Sequence, residues 1–334
     1  MAAAQDQKKA GGAVIDEDQQ KEVLPVEEWA RRLALTHVPV QKAGHAHWML
    51  SRLRVQEKLL RKAYSSFAGT PSTESVQSYA AEWVLDNFYI IQQALREVRE
   101  DMPRGFYHRL PKLKSDGLET TPRIFSVALE LFHACATHLQ IEKIVAFVDS
   151  YQHIQPLTIG EIWALPTMLR FVVAEYLAQA ISRITGMRID DSSAPPPAAR
   201  MPDEIADEHV VANSILSLRM LANEDWKAFF ERVNLVEQVL RSDPLQVYAD
   251  MDFETRDAYR KQVEDLALGV GSSEVDVARS VVELSTRKED AKAGQRKRHV
   301  GYYLLDEGRP TLEEHLGCRL PLFSRAGRWA IRHP

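Results

Sequence analysis

From about Val26 onward, apolar residues recur at spacings of three and four with charges set between them, and nowhere do β-branched residues alternate for long enough to make a sheet. That pattern points to an all-α, multi-helix protein. Stacked helical hairpins remain open to it without any fixed-period repeat. The clearest stripe is Trp48, Leu53, Leu59, Leu60, Tyr64 and Phe67, set among Arg52, Arg54, Lys58, Arg61 and Lys62. Gly and Pro, 15 and 16 of 334 residues, are too sparse for a turn-dense all-β architecture. Charges such as Glu130 and Glu175 break the apolar stretches before they reach the roughly 18 residues a spanning helix needs.

Local signals place the helices. A short one opens near Val26 behind Pro25, a longer one runs from His45 to Phe67, and a third starts at Ser72 or Thr73 and is stopped after Met102 by Pro103. Helices follow at 122–138 and 140–153. Thr158 and Glu161 have capping-box spacing and open a long helix in which Pro166 predicts a kink. Residues 190–202, rich in Pro and Ser, read as a linker. Five parts result: a disordered leader 1–24, a helical domain 25–189, the linker 190–202, a second helical domain 203–318 and a basic membrane-proximal tail 319–334. The second domain is expected to hold helices at 203–222, 224–240, 252–268, 274–290, 296–306 and 311–317. Thr311 and Glu314 repeat the capping-box spacing.

The charges exclude more than they specify. With 42 Lys and Arg against 47 Asp and Glu, a net charge of −5 demands neither a nucleic acid nor an acidic substrate. From Arg287 to Pro334, however, eleven basic residues face six acidic ones, so the tail is basic in an acidic chain. Cys135 and Cys318 lie far apart and make no metal-ligand spacing, which suits reduced thiols in a cytoplasmic setting. Residues 1–20 lack the apolar core of a secretory signal. His45 and His47 are two apart and His133 and His138 five apart, spacings that do not set a pair on one helical face. No metal and no cofactor is expected. Gly269-Val270-Gly271 has no strand before it and no third glycine, so it reads as a turn between helices rather than a dinucleotide fingerprint.

Four features could carry chemistry or contacts. Asp250 and Asp252 with Arg256 could hold a nucleotide sugar, since paired aspartates carry a divalent cation against a diphosphate. Such pairs normally end a strand, whereas here helical patterns flank them, and Asp252 before Phe253, Glu254 and Thr255 reads as a helix cap. Trp83, Trp163 and Trp226 lie on apolar faces, as core anchors or as sugar-stacking platforms. The run from Arg296 to His299 reads as a solvated helix turn or an anionic-lipid contact. In the tail, Arg325, Arg328, Trp329 and Arg332 combine basic heads with an aromatic group, the pattern of a segment resting at an anionic bilayer surface.

Residues 81–113, 155–170, 221–267 and 299–319 resemble, in that order, the N-terminal region of bacterial cyclic β-1,2-glucan synthases. The resemblance runs over about residues 45–334. It implies an inner-membrane glucosyltransferase that uses UDP-glucose, with a helical region ahead of membrane helices, a glycosyltransferase domain and further carbohydrate-active domains. This chain matches the part before the first membrane helix, so the catalytic domains are expected to have no counterpart here, and no catalytic residue is carried over.

Three readings stand. The first is a non-catalytic cytoplasmic accessory region at the inner face of the inner membrane, partnered in cis or in trans by the membrane and catalytic portions of a synthase. The second is a stand-alone helical interaction module. The third is a glycosyltransferase with an unrecognised site at Asp250, Asp252 and Arg256.

Overall fold

The computed structural model describes residues 24–40, 47–69, 79–102, 107, 109–114, 121–188, 205–287 and 295–317. The leader up to residue 23, His45, the caps Ser72 and Thr73, Pro103, the 190–202 linker, Cys318 and the tail contacts Arg325, Arg328, Trp329 and Arg332 lie outside the described residues.

The protein is all-α. Helices α1 (Val26–Thr36), α2 (His47–Gly69), α3 (Tyr79–Glu100), α4 (Arg123–Ala134) and α5 (Ile141–Gln152) precede the long α6 (Ile159–Thr185). A two-residue antiparallel ladder sets Pro39–Val40 against Lys112–Leu113, with Pro39 opposite Leu113. Then come α7 (Asp207–Asn223), α8 (Trp226–Val233), α9 (Leu235–Leu240), α10 (Phe253–Val270), α11 (Glu274–Thr286), α12 (Val300–Leu305) and α13 (Arg309–His315).

α6 organises the molecule because it is apolar around nearly its whole circumference, and such a helix must be enclosed. α2, α3, α4, α7 and α8 enclose it. Three of its buried residues are nevertheless charged, and each is answered by a different neighbour. Glu161 takes the fork of Arg123 from α4, with Arg123 Nε donating to Oε1 at 2.8 Å. Arg170 pairs with Glu97 of α3 at 2.7 Å. Glu175 takes the fork of Arg52 from α2, with Arg52 Nε donating to Oε2 at 2.8 Å. Burial alone would push the Glu175 carboxyl upward, yet Arg52, Gln179 and Gln56 together hold it below the usual range.

The Thr158–Glu161 spacing yields a full capping box: Glu161 N donates to Thr158 Oγ1 at 3.2 Å and Thr158 N to Glu161 Oε2 at 2.9 Å. The first amide of α6, on Ile159, donates instead to Glu274 Oε2 of α11 at 2.7 Å. α7 packs along both α6 and α3. The described helices on the two sides of the 190–202 linker thus contribute to one cluster of buried apolar side chains reaching from Ala30 to Leu312.

Three local expectations are corrected. The helix expected over 224–240 is two, broken at Asn234, whose side chain accepts from Glu237 N at 2.9 Å and restarts the helix. The helix expected over 296–306 is a 3₁₀ turn, Gln295–Arg298, followed by α12. Thr311 and Glu314 form no capping box, because α13 already begins at Arg309 behind Gly308. Pro310, with no amide hydrogen, fits that first turn and leaves Thr311 inside it.

A partly buried carboxylate and a buried imidazole give stability opposite pH dependences. Burial, with the charges of Glu264 and Glu161, raises the Glu274 carboxyl to about 7 against the pull of the Ile159 amide. Its folded value lies above its ordinary one, so stability falls as pH rises from about 4.5 to about 7. His37, its Nδ1 2.7 Å from the Tyr151 hydroxyl, is lowered to about 4 by burial and by Arg123. The fold resists its protonation, so stability falls as pH drops from about 6.5 to about 4. In the parent chain the two slopes offset each other. Urea unfolding of Glu274→Gln should therefore show an added loss of about 2–3 kcal/mol on going from pH 6.5 to 4.5. A pH profile parallel to the parent's would reject this account.

Candidate functional site

Asp250, Asp252 and Arg256 all lie near the start of α10, and the side chains of Asp252 and Arg256 are engaged in the fold. Asp250 ends the 3₁₀ turn Tyr248–Asp250 and is exposed. Asp252 is the N-cap of α10: Thr255 N donates to Oδ1 at 2.8 Å and Thr255 Oγ1 to Oδ2 at 2.9 Å. These two bonds hold the Asp252 carboxyl below its ordinary range. Arg256 is buried, donating to Glu231 Oε1 and, at 3.1 Å, to the Ala249 carbonyl. Asp252→Ala should lower the urea midpoint of unfolding without changing the slope, and Asp252→Asn should restore most of it, because asparagine also caps. Equal losses in both variants would show that the cap is not what Asp252 supplies.

Behind Arg256 lies a larger knot of charge. Glu237 is fully buried and accepts from Arg260 at 2.6 Å, from the Tyr248 hydroxyl at 2.7 Å and from Arg241 at 2.8 Å. Arg260, also fully buried, lies over the rings of Phe230 and Phe253 at 5.0 and 4.8 Å. The knot joins α8, α9 and α10, and full burial keeps Glu237 away from any incoming group.

The Arg296–His299 run divides. Arg296 pairs with Asp306 at 2.6 Å, whereas His299 turns inward. With Asp243 held ionised, His299 Nδ1–H donates to Asp243 Oδ2 at 2.9 Å, and Nε2 is left to accept from the Tyr259 hydroxyl at 3.3 Å. Asp243 also accepts from the Val300 amide at 3.0 Å, capping α12, and these bonds hold its carboxyl low. Tyr259 and His299 border an open cavity of about 700 Å³ whose walls include Leu245, Val247, Tyr302 and Leu305.

A second cleft, of about 520 Å³, opens between α3, α6 and α8. Trp163, Thr167 and Arg170 stand at i, i+4 and i+7 on α6 and form one wall with Ala164 and Pro166. Glu100 and Asp101 at the end of α3, Tyr107, and Trp226 at the start of α8 complete it. Both indoles are partly exposed and fixed. Trp163 stacks on Phe230 at 4.4 Å and meets Phe253 edge-on, while Trp226 Nε1 donates to the Leu221 carbonyl at 3.0 Å. Arg170 donates to the same carbonyl at 2.9 Å and lies 5.9 Å from the Trp226 ring centre. Burial pushes the Asp101 carboxyl up, with Arg170 and a Thr167 hydrogen bond opposing. Burial likewise raises the Tyr107 phenol, and Thr167 again opposes.

Each tryptophan of this cleft is legible as an aromatic on an apolar face. Asp101 and Tyr107, which meet them from another segment, carry no such signal. Trp83, by contrast, packs on the core, with Tyr79 edge-on at 5.9 Å. Cys135 is free and buried, its thiol pushed up to about 11. Among the described residues no group of three or more His, Cys, Asp or Glu is placed to hold a metal ion, and no helix is long and apolar enough to cross a membrane.

No family model matches the chain. A curated protein, the cyclic beta-(1,2)-glucan synthase NdvB of Rhizobium meliloti (strain 1021), is 28% identical to it over 344 aligned positions. The alignment takes in 82% of this chain and 12% of that protein, so the chain spans a small part of its relative. By sequence, this chain is homologous to one segment of a cyclic β-1,2-glucan synthase.

Proposed function

We propose that the chain serves cyclic β-1,2-glucan synthesis as a non-catalytic helical region that docks against, or shapes, the membrane and catalytic portions of a synthase. The observation that carries this reading is similarity across 82% of the chain to a segment making up 12% of such an enzyme. The engagement of Asp252 in a cap and of Arg256 in ion pairs supports a structural rather than a nucleotide-sugar role for that segment. The site of action is the cytoplasmic face of the inner membrane, where Arg325, Arg328, Trp329 and Arg332 would meet anionic lipid.

The test deletes the homologous segment from a synthase and supplies this chain in trans. Glucan formation from UDP-glucose should fall on deletion and recover with the added chain, and the purified chain alone should turn over no UDP-glucose. An undiminished synthase after deletion, or manganese-dependent turnover by this chain that disappears in Asp250→Ala, would refute the accessory reading.

A further inference from the structure

We propose that the cleft between α3, α6 and α8 binds a neutral β-1,2-linked glucan chain, an assignment that rests on the role in glucan synthesis proposed above. Trp163 and Trp226 line the cleft, and an indole offers a flat apolar surface on which the C–H face of a sugar ring can pack. A glucose ring also needs polar partners at its edge. Asp101, Glu100, Thr167 and Tyr107 place carboxylate and hydroxyl groups around the same space. The volume, about 520 Å³, lies within the range of about 300–1,000 Å³ usual for small-ligand sites.

Charge chooses among ligands. Glu100 and Asp101 line the cleft, and the arginine in its wall, Arg170, has its guanidinium already engaged by Glu97 and the Leu221 carbonyl. A nucleotide diphosphate would meet net negative charge there, whereas an uncharged polyol would give those carboxylates hydroxyl donors. The indole of Trp163 is fixed from behind by Phe230 and Phe253, so little ordering remains for a ligand to impose.

The experiment titrates the full chain with linear β-1,2-linked glucooligosaccharides and, separately, with UDP-glucose, following tryptophan fluorescence and calorimetric heat. Saturable binding of the oligosaccharide is expected, with none of UDP-glucose. Trp226→Ala should weaken binding at least about tenfold. Because that variant also loses a bond to Leu221, Asp101→Asn serves as the volume-preserving second variant, expected to weaken binding with an unchanged circular dichroism spectrum and no loss of urea midpoint, since the fold disfavours the charged carboxylate there. Absence of oligosaccharide binding, preference for UDP-glucose, or oligosaccharide binding that both variants leave unchanged would overturn the assignment. A failed accessory role would show in the synthase deletion and leave these titrations as they are, whereas a failed cleft would show here with the deletion phenotype intact.

Discussion

Glu237→Gln is expected to destabilise the chain by about 3–5 kcal/mol, the usual cost of removing one partner from a buried ion pair. The change keeps shape and volume and removes only charge. Arg260, fully buried over Phe230 and Phe253, would then keep only the partly exposed Asp257, 3.2 Å away, as an anionic partner. The Tyr248 hydroxyl and Arg241 lose the same acceptor's charge. Because the penalty belongs to the stranded cation, adding Arg260→Met to Glu237→Gln should recover part of the loss, so that the two changes are strongly non-additive. Urea denaturation of the two singles and the double measures this. A single-variant loss below about 1 kcal/mol would mean that the knot is effectively solvated.

Glu161→Ala should be at least as damaging, since one carboxylate performs two tasks. It accepts the Thr158 amide that closes the capping box, and it neutralises Arg123, whose Nη2 also reaches the Pro156 carbonyl at 2.9 Å. Losing the cap alone is worth about 1 kcal/mol and stranding Arg123 about 3–5 kcal/mol. Thr158→Ala, which removes the hydroxyl and leaves the ion pair, separates the two contributions and should show only the smaller one. Comparable losses in both variants would place the stability in the cap and not in the pair.

What could be read from sequence was local. The helical class, the Thr158–Glu161 box and the Asp252 cap each depend on residues within a few positions of one another, whereas of the turn expected at Gly269–Gly271 only Gly271 leaves the helix, Gly269 and Val270 lying in its last turn. Gly271 closes α10 at φ +72°, a conformation glycine adopts without strain. The break at Asn234 escaped because apolar spacing continues from Phe230 through Val233 to Val236, and periodicity cannot register a single residue that leaves and re-enters the helix. Thr311 and Glu314 misled for the converse reason: the right spacing occurs inside the helix, starting within its first turn. Arg123 and Glu161 are 38 residues apart, and the cleft draws on α3, α6 and α8. Such meetings are fixed by packing, which leaves no mark in a linear pattern.

The three charges along α6, each answered by a different helix, also govern how the sequence can drift. A substitution at Glu161 or Glu175 alone strands a buried arginine, Arg123 or Arg52, and one at Arg170 leaves the partly buried Glu97 without its cation. Such an intermediate forfeits a large share of the roughly 5–15 kcal/mol that natural domains typically possess. These positions can therefore exchange only in matched steps, Glu161 with Arg123, Arg170 with Glu97 and Glu175 with Arg52. Among divergent copies of this fold, the pairs should be inherited or lost together, while the apolar residues between them exchange with others of similar volume.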